Sequence, residues 1–346
     1  MFFERLSSFV KYFDKKPDRV LWIFPLICNL RCNHCDIGKL TLAGKGGKKS
    51  DGLTLEENKA IVKKMGEWIG QPYSLSFISG EPLMHADMLE IIAYATKHKA
   101  ICSLTSNGTL IQTKEVAEKI VNSGLQYIAL SLDGLEAKTH DTSRGVVGVR
   151  DKVFRAVNLL TEAKAKLKQN NPKIYINAII MNDNLNELRP MIKWAKSVGV
   201  EGITFQPLAS TEYFSGKSIN GGKWYESNPQ WPDKKKVMKL IDDMEKMKAQ
   251  GYPLQNSEAD FKRFREYFDD PIKFGDNNVC TGSLKALVIT PKGHVKVCMS
   301  GSLGNILTDD LDKIWHSVKT IKAKRVISSC KAQCKILACN KDDFYF

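Results

Sequence analysis

The chain has 346 residues, of which 43% are apolar and 26% are charged, and its formal net charge is +14. A chain of this length can bury a full core in one large domain with room for a smaller module, and its composition excludes long disordered segments. No apolar run reaches the roughly 18 residues of a membrane span, and no basic stripe with interleaved aromatics marks a nucleic-acid surface.

Residues 1–18 predict a short amphipathic N-terminal helix, with Phe2, Leu6 and Phe9 on one face. Charges interrupt the first apolar run and no small-residue cleavage site follows, so this segment differs from a secretory signal. We therefore expect a cytoplasmic protein, in which grouped cysteines bind metal more often than they form disulfides.

Residues 19–208 alternate between short apolar segments and amphipathic helical segments. Strands are predicted at Arg19–Phe24, Tyr73–Ile78, Ala100–Thr105, Gln126–Leu132, Lys173–Ile180 and Gly202–Gln206. A capping box of Thr54 and Glu57 begins one of the intervening helices. Because strands joined by helices pair in parallel through βαβ crossovers, the predicted fold class is α/β. Six such units predict a partial (β/α)6 TIM-like barrel.

Residues 209–279 differ in composition and are expected to hold a loop or lid followed by linking helices. The segment 209–232 is rich in Gly, Ser, Asn and Pro and carries Trp224, Tyr225 and Trp231. These aromatic residues are consistent with a lid over a substrate and equally with a linker that packs on the domain. A helix is predicted at about 234–250.

Three cysteines, Cys28, Cys32 and Cys35, directly follow the first predicted strand. Three thiolates can bind three irons of a [4Fe–4S] cluster and leave the fourth iron open for a substrate or cofactor. Zinc is the chemical alternative, with His34 as a fourth ligand, although a ligand between two other ligands is strained. The spacing thus predicts a metal centre whose identity these residues alone leave open.

The segment 280–346 contains five of the nine cysteines and resembles an appended module. These cysteines are Cys280, Cys298, Cys330, Cys334 and Cys339. Residues 288–290 and 294–297 predict a β-hairpin, which is expected to bring Cys298 near Cys280. A second metal centre is therefore predicted in a module made of a β-hairpin and helices.

The segment CNLRCNHC at residues 28–35 resembles the cluster motif of the radical S-adenosylmethionine (SAM) superfamily. The resemblance implies a SAM-binding [4Fe–4S] cluster on Cys28, Cys32 and Cys35, and reductive cleavage of SAM to a 5′-deoxyadenosyl radical. The residue before the third cysteine is usually aromatic in that family and lies against the adenine, a position that His34 takes here. A flavodoxin- or ferredoxin-type electron donor is implied as a partner.

Further family motifs occur in order at successive predicted strand ends, where ligands of parallel α/β folds bind. Ser79, Gly80, Glu81 and Pro82 form a segment similar to the turn that receives the methionine amino group, with Ser79 in place of a glycine. Asn107 lies in a TSNG segment that differs from the family's TNG by one inserted serine. The remaining motif residues are Ser131, Asp133, His140 and Arg144. The resemblance assigns them to the ribose hydroxyls and the methionine carboxylate.

The C-terminal cysteines and the Gly293-x4-Cys298 spacing resemble the SPASM/twitch extension of the same superfamily. The resemblance implies an auxiliary [4Fe–4S] cluster in this module. A full SPASM domain holds two clusters on about seven cysteines, so five cysteines predict one cluster and one spare thiol. The spare thiol is a structural residue, an alternative ligand or, in an epimerase, a hydrogen-atom donor among Cys330, Cys334 and Cys339.

The positive charge favours an anionic small-molecule substrate of the sugar, aminocyclitol or nucleotide class. The expected outcomes are dehydrogenation, epimerisation, rearrangement or decarboxylation. Peptide maturation is the alternative. Many such relatives carry an N-terminal peptide-binding module of roughly 80–100 residues, a usual small-domain size, whereas 18 residues precede the first predicted strand here. A non-catalytic iron–sulfur carrier or a zinc-binding structural protein is the hypothesis from another class, and the strand-end motifs argue against it.

Overall fold

The computed structural model describes residues 15–44, 47–210, 222–298 and 300–337. Most of the predicted helix over residues 1–18 lies outside these ranges, as do Cys339 and the centre of the 209–232 segment. Within the described ranges, no helix combines the length and apolar character that crossing a membrane requires.

One nine-stranded sheet organises this part of the chain. Its strands are β1 (Arg19–Ile23), β2 (Tyr73–Ile78), β3 (Ala100–Ser106), β4 (Tyr127–Ser131), β5 (Lys173–Ile180), β6 (Gly202–Pro207), β7 (Ala286–Ile289), β8 (His294–Lys296) and β9 (Gly304–Asn305). Their order is β6-β5-β4-β3-β2-β1-β7-β8-β9. Neighbours from β6 to β7 pair in parallel, and β8 and β9 are antiparallel additions. The six predicted parallel strands are confirmed, and their open sheet forms a partial barrel.

Helices connect the parallel strands and continue into the C-terminal region. They are α1 (Asp36–Leu42), α2 (Leu55–Ile69), α3 (Met88–Lys97), α4 (Lys114–Asn122), α5 (Ala137–Arg144), α6 (Val149–Leu167), α7 (Leu188–Ser197), α8 (Lys234–Ala249), α9 (Glu258–Asp269), α10 (Pro271–Asn277), α11 (Gly282–Lys285), α12 (Leu311–Trp315) and α13 (Val318–Ser328). The predicted capping box begins α2, since Thr54 and Glu57 exchange hydrogen bonds between side chain and backbone. The helix predicted at about 234–250 is α8.

The two faces of the partial barrel differ in chemistry because side chains alternate along each strand. On β5, Ile174, Ile176 and Ile180 belong to the continuous apolar core shared with the helices. The intervening residues Tyr175 and Asn177 are only partly buried and lie on the opposite, inner face. The helices therefore cover one face, and the inner face is left for ligands.

A short segment after α8 protects the outer edge of β6, where an unpaired strand would otherwise expose its backbone groups. Ile203 donates its backbone N–H to Pro253 O at 2.8 Å and accepts one from Gln255 N at 3.0 Å. The Asn256 side chain then bonds both backbone groups of Phe205, accepting from its N–H at 2.8 Å and donating to its carbonyl at 2.9 Å. This buried asparagine stands in for a further strand.

The predicted hairpin is confirmed as β7 and β8, with Val288 opposite Lys296. The sequence pattern did not predict that β7 would also pair in parallel with β1, placing Leu21 beside Val288. The cysteine-rich C-terminal region is thereby joined to the sheet at the strand that precedes the first cysteine group.

Candidate active site

The loop that carries Cys28, Cys32 and Cys35 follows β1 and is held from two sides by backbone hydrogen bonds. On one side, Glu81 donates its N–H to Ile27 O at 2.8 Å. On the other side, Arg31 N donates to Arg144 O at 3.1 Å, and Asn33 N donates to Ser143 O at 2.9 Å. The loop thus lies between the turn after β2 and the C-terminal end of α5, as a strand-end site requires.

The environment of the three thiols suits an anionic iron–sulfur cluster, since N–H donors to cluster sulfurs stabilise it. Leu30 N lies 3.4 Å from Cys28 Sγ, and Arg144 Nη1 lies 3.9 Å from Cys32 Sγ. Helix α1 begins one residue after Cys35, and the backbone N–H groups of its first turn favour the thiolate. Burial raises the pKa of Cys28 to about 11 and also raises the pKa of Cys35, so these two thiols release protons when they bind metal.

The thiols do not converge on one point. Within the described ranges, no three His, Cys, Asp or Glu side chains are arranged to hold a single metal ion. The predicted zinc ligand His34 instead has its Nδ1 3.4 Å from Ser143 Oγ, and its charge helps to lower the pKa of Asp133. A cubane cluster takes one thiolate per iron, so it does not require the sulfurs to meet.

Gly80 is the point of closest approach between the turn after β2 and the cysteine loop. A Cβ atom added at Gly80 would lie 2.2 Å from Ile27 O and 2.7 Å from Cys28 Cβ. No side chain fits there without moving the loop. The glycine that the sequence motif contains is therefore required by packing against the cysteine loop itself.

Glu81 is fully buried and joins the ends of β2 and β3. Its carboxylate accepts hydrogen bonds from Asn107 N at 2.7 Å, Ser106 Oγ at 2.9 Å and Leu83 N at 3.1 Å. Burial raises its pKa to about 7 against these donors. In this geometry Glu81 orders the strand ends, and Ser106, which interrupts the family's TNG motif, supplies one of its donors.

Ser79 and Asn107 lie beside this carboxylate in separate networks. Ser79 Oγ donates to Pro25 O at 2.9 Å and lies 2.9 Å from His85 Nε2. Asn107 Nδ2 donates to Asn29 Oδ1 at 2.8 Å, which connects the end of β3 to the residue after Cys28. Pro82 begins a short 3-10 turn capped by Glu81. Sequence reasoning did not select Asn29, although its position next to Cys28 was a usable signal.

Asp133 and Arg144 form a buried ion pair just beyond β4. Arg144 Nε lies 2.8 Å from Asp133 Oδ2, and the Asp133 carboxylate also accepts from Ser143 Oγ and Ile179 N, each at 3.1 Å. Burial alone would raise the pKa of Asp133, but the Arg144 guanidinium lowers it to about 2. The same pairing outweighs burial and raises the pKa of Arg144.

His140, one of the motif residues of the sequence, completes this cluster. Its Nδ1 accepts from Asp133 N at 3.0 Å, which places the ring beside the end of β4. Burial, aided by the Arg144 charge, lowers the pKa of His140 to about 4, so the ring is neutral at pH 7. Its Nε2 is buried without a hydrogen-bond partner among the described residues.

The C-terminal cysteines Cys280, Cys298, Cys330 and Cys334 are partly buried. Lys335, next to Cys334, donates from Nζ at 2.6 Å both to Gly275 O and to Asn278 O. This ammonium ties the Cys334 segment to the end of α10, just before Cys280. The ligand assignments of these cysteines stay predictions.

Aromatic residues from the loop before α8 reach this second cysteine region. Trp224 Nε1 donates to Gln333 Oε1 at 2.6 Å, and Trp231 packs against Tyr267 at 5.5 Å between ring centroids. Tyr267 OH in turn donates to Leu208 O, just after β6. The described part of the segment 209–232 therefore connects the barrel mouth to the cysteine module.

Comparison with known proteins supports both parts of the chain. A family model described as the radical SAM superfamily matches residues 22–201, and one described as an iron–sulfur cluster-binding domain matches residues 280–340. The chain is 32% identical over 329 residues to "AdoMet-dependent heme synthase" of Nitratidesulfovibrio vulgaris, covering 91% of this chain and 83% of that protein.

Other relatives are similar over shorter stretches. "Fe-coproporphyrin III synthase" of Methanosarcina barkeri is 28% identical over 243 residues, which cover 70% of this chain and 55% of that protein. "Mycofactocin maturase MftC" of Mycolicibacterium smegmatis is 31% identical over 147 residues, covering 42% and 35%. The solved structure "Native anSMEcpe with bound AdoMet" has a TM-score of 0.65 at 20% identity, covers 94% of this chain and 93% of its own, and supports the fold.

Proposed function

Since this chain belongs to the radical SAM superfamily, we propose that it abstracts hydrogen from a carboxylate-bearing tetrapyrrole. The observation that carries this proposal is the 32% identity to a heme synthase across 91% of the chain. That alignment is long enough to include both cysteine groups. The named relatives favour a tetrapyrrole or a peptide over the sugar, aminocyclitol or nucleotide class expected from the sequence.

The protein is an iron–sulfur enzyme whose cofactors are SAM, a [4Fe–4S] cluster and auxiliary iron–sulfur chemistry in the C-terminal module. Together, cluster and SAM supply a 5′-deoxyadenosyl radical. We assign Cys28, Cys32 and Cys35 as the ligands of the SAM-binding cluster, because each sulfur has at least one N–H donor beside it. The described cysteines of the C-terminal module, with Cys339, are the ligand candidates for the auxiliary site.

The chain's own residues account for orientation of SAM. We assign the methionine amino group to the turn at 79–82, the methionine carboxylate to Arg144 and the ribose to Ser131, with Asp133 as the residue that positions Arg144. Glu81 acts as a positioning residue, because its two oxygens already bind Ser106, Asn107 and Leu83. His34, beside Ser143, is the adenine neighbour in this scheme.

The net charge of +14 suits an anionic substrate, which a carboxylated tetrapyrrole is at neutral pH. We further infer a flavodoxin- or ferredoxin-type electron donor. The many cysteines and the oxygen-sensitive clusters are suited to the reducing cytoplasm.

The test is anaerobic reconstitution with iron and sulfide, followed by reduction with dithionite in the presence of SAM and Fe-coproporphyrin III. With a one-electron acceptor added, we expect 5′-deoxyadenosine, together with a tetrapyrrole that has lost carbon dioxide and two hydrogens for each propionate converted. One hydrogen leaves as the atom that the radical takes and the other as the carboxyl proton, and the remaining electron passes to the acceptor. A variant lacking Cys28, Cys32 and Cys35 is the control and should form neither product. If 5′-deoxyadenosine accumulates while the mass of the tetrapyrrole stays unchanged, the substrate proposal is wrong.

A peptide substrate is the second candidate, and the 31% identity to a mycofactocin maturase over 147 residues supports it. Deuterium transfer into 5′-deoxyadenosine distinguishes the two candidate substrates. A tetrapyrrole deuterated on its side chains should transfer deuterium into 5′-deoxyadenosine, whereas transfer from a deuterated peptide encoded beside the gene would favour peptide maturation.

A further inference from the structure

Three polar residues lie side by side on the inner face of the barrel. In the sheet register, Ser131 of β4 is opposite Asn177 of β5, and Asn177 is opposite Thr204 of β6. Parallel partners at one register position present their side chains to the same face. We call these three residues the inner row. It begins at Ser131, which we assign to SAM, and extends away from the cofactor across two strands.

The outer two members of the inner row have unsatisfied atoms. Asn177 Oδ1 and Thr204 Oγ1 are both buried, and neither has a hydrogen-bond partner among the described residues. By contrast, Ser76 and Ser103 on the same face bond one another at 2.8 Å. A buried polar atom without a partner is costly and uncommon, so two on adjacent strands point to a missing ligand.

The chemistry of the pair limits what that ligand can be. A threonine hydroxyl donates or accepts, and an asparagine amide can turn to present either its oxygen or its NH2 group. Side chains on neighbouring strands are separated by about 4.8 Å, which lets two donors reach the two oxygens of one carboxylate. The pair is uncharged, so it favours directional hydrogen bonds over tight ionic capture.

We propose that Asn177 and Thr204 form a substrate subsite that hydrogen-bonds a side-chain carboxylate of the tetrapyrrole. This assignment rests on the function proposed above. The subsite lies beside Ser131, so a carboxylate held there places its attached carbon chain next to the cofactor end of the barrel. Asn177 and Thr204 thereby select which part of the substrate is presented to the radical.

The test compares three variants of the reconstituted holoenzyme with Fe-coproporphyrin III as the substrate. Thr204→Val keeps the shape and removes the hydroxyl, and Asn177→Asp keeps the shape and adds a negative charge. Thr161→Val is the matched control, because its hydroxyl only donates to Val157 O within α6. Iron content and SAM cleavage without substrate are measured for each and should equal wild type.

We expect Thr204→Val to raise KM by about five- to tenfold, since it removes one neutral hydrogen bond, with a small effect on kcat. Asn177→Asp should raise KM further because like charges repel. Thr161→Val should leave KM within about twofold of wild type.

Two outcomes would overturn the subsite. One is a KM for Thr204→Val that matches Thr161→Val. The other is tighter substrate binding by Asn177→Asp, which would indicate a hydrogen-bond donor or cation in place of a carboxylate. If Asn177→Asp fails to bind iron, Thr204→Val alone decides. A third result would contradict the proposed function itself: wild-type enzyme that cleaves SAM but leaves the tetrapyrrole unaltered. The assignment of the subsite to a tetrapyrrole carboxylate would then be wrong as well.

Discussion

Arg144 Nε lies 2.8 Å from Asp133 Oδ2, and both side chains are buried at the end of β4. The same guanidinium reaches Cys32 Sγ at 3.9 Å through Nη1. Asp133 therefore orients the Arg144 guanidinium toward the loop that carries Cys32. A buried pair of this kind contributes little net stability, but removing one partner leaves an uncompensated buried charge.

Arg144→Met should accordingly destabilise the enzyme by about 3 kcal/mol or more, because Asp133 remains charged and buried. The Arg189–Asp243 pair, also at 2.8 Å but with an exposed arginine and a partly exposed aspartate, provides a control. Arg189→Met should change stability by less than about 1 kcal/mol. Anaerobic thermal unfolding of the reconstituted variants measures this difference. Adding Asp133→Asn to Arg144→Met should recover part of the lost stability. Equal melting temperatures for Arg144→Met and Arg189→Met would contradict the prediction.

Gly80→Ala should disrupt the first cysteine loop, since the new methyl group would lie 2.2 Å from Ile27 O. Because Gly80 contacts the loop that bears Cys28 and is separate from the C-terminal cysteines, we expect loss of about half the bound iron. Gly301→Ala is the control, as nothing lies within 4 Å of its added Cβ. Iron and sulfide analysis decides the matter, and an unchanged iron content in Gly80→Ala would count against this packing argument.

Trp224→Phe should loosen the segment around Cys334, because it removes the indole N–H that binds Gln333 at 2.6 Å. We expect faster amide hydrogen exchange at residues 330–337, where the cysteine segment loses this tether. Trp68→Phe is a matched control that removes an indole N–H bonded to Asp312 at 3.0 Å. It should leave exchange at 330–337 unchanged. Equal protection in wild type and Trp224→Phe would show that this bond does not order the segment.

Lys324 gives a prediction about pH. It is buried, with Nζ 3.4 Å from the Trp315 ring centroid, and burial lowers its pKa from 10.5 to about 8. The folded enzyme therefore binds fewer protons than the unfolded chain between about pH 8 and 10.5, and this residue's contribution becomes more favourable as pH rises through that window.

Lys324→Met should raise stability at pH 7 by on the order of 2 kcal/mol, because it removes a charge that is costly to bury. The advantage should shrink at pH 9.5, where the wild-type lysine is neutral in the folded state. Melting temperatures at the two pH values test this. An advantage that is the same at both would indicate improved packing and not relief of charge burial.

Much of the fold could be predicted from local pattern. Alternation along β5 and the capping box at Thr54 depend on residues that are neighbours in sequence, so both were predictable. The parallel pairing of β7 with β1 was not, because it joins segments about 270 residues apart and no local signal selects that partner.

For the site, the cysteine spacings predicted two metal centres, since ligand spacing is a local property. The resemblance of the cysteine and strand-end motifs to the radical SAM superfamily implied that the protein is a SAM-dependent iron–sulfur enzyme. Only the tertiary structure decided that the Glu81 carboxylate accepts hydrogen bonds from Ser106 and Asn107, which lie 25 and 26 residues away. It also decided that Asn177 and Thr204 stand together with unsatisfied atoms. Hydrogen-bond partners and burial depend on strand register, and register is set by the packing of the whole sheet and not by any one segment.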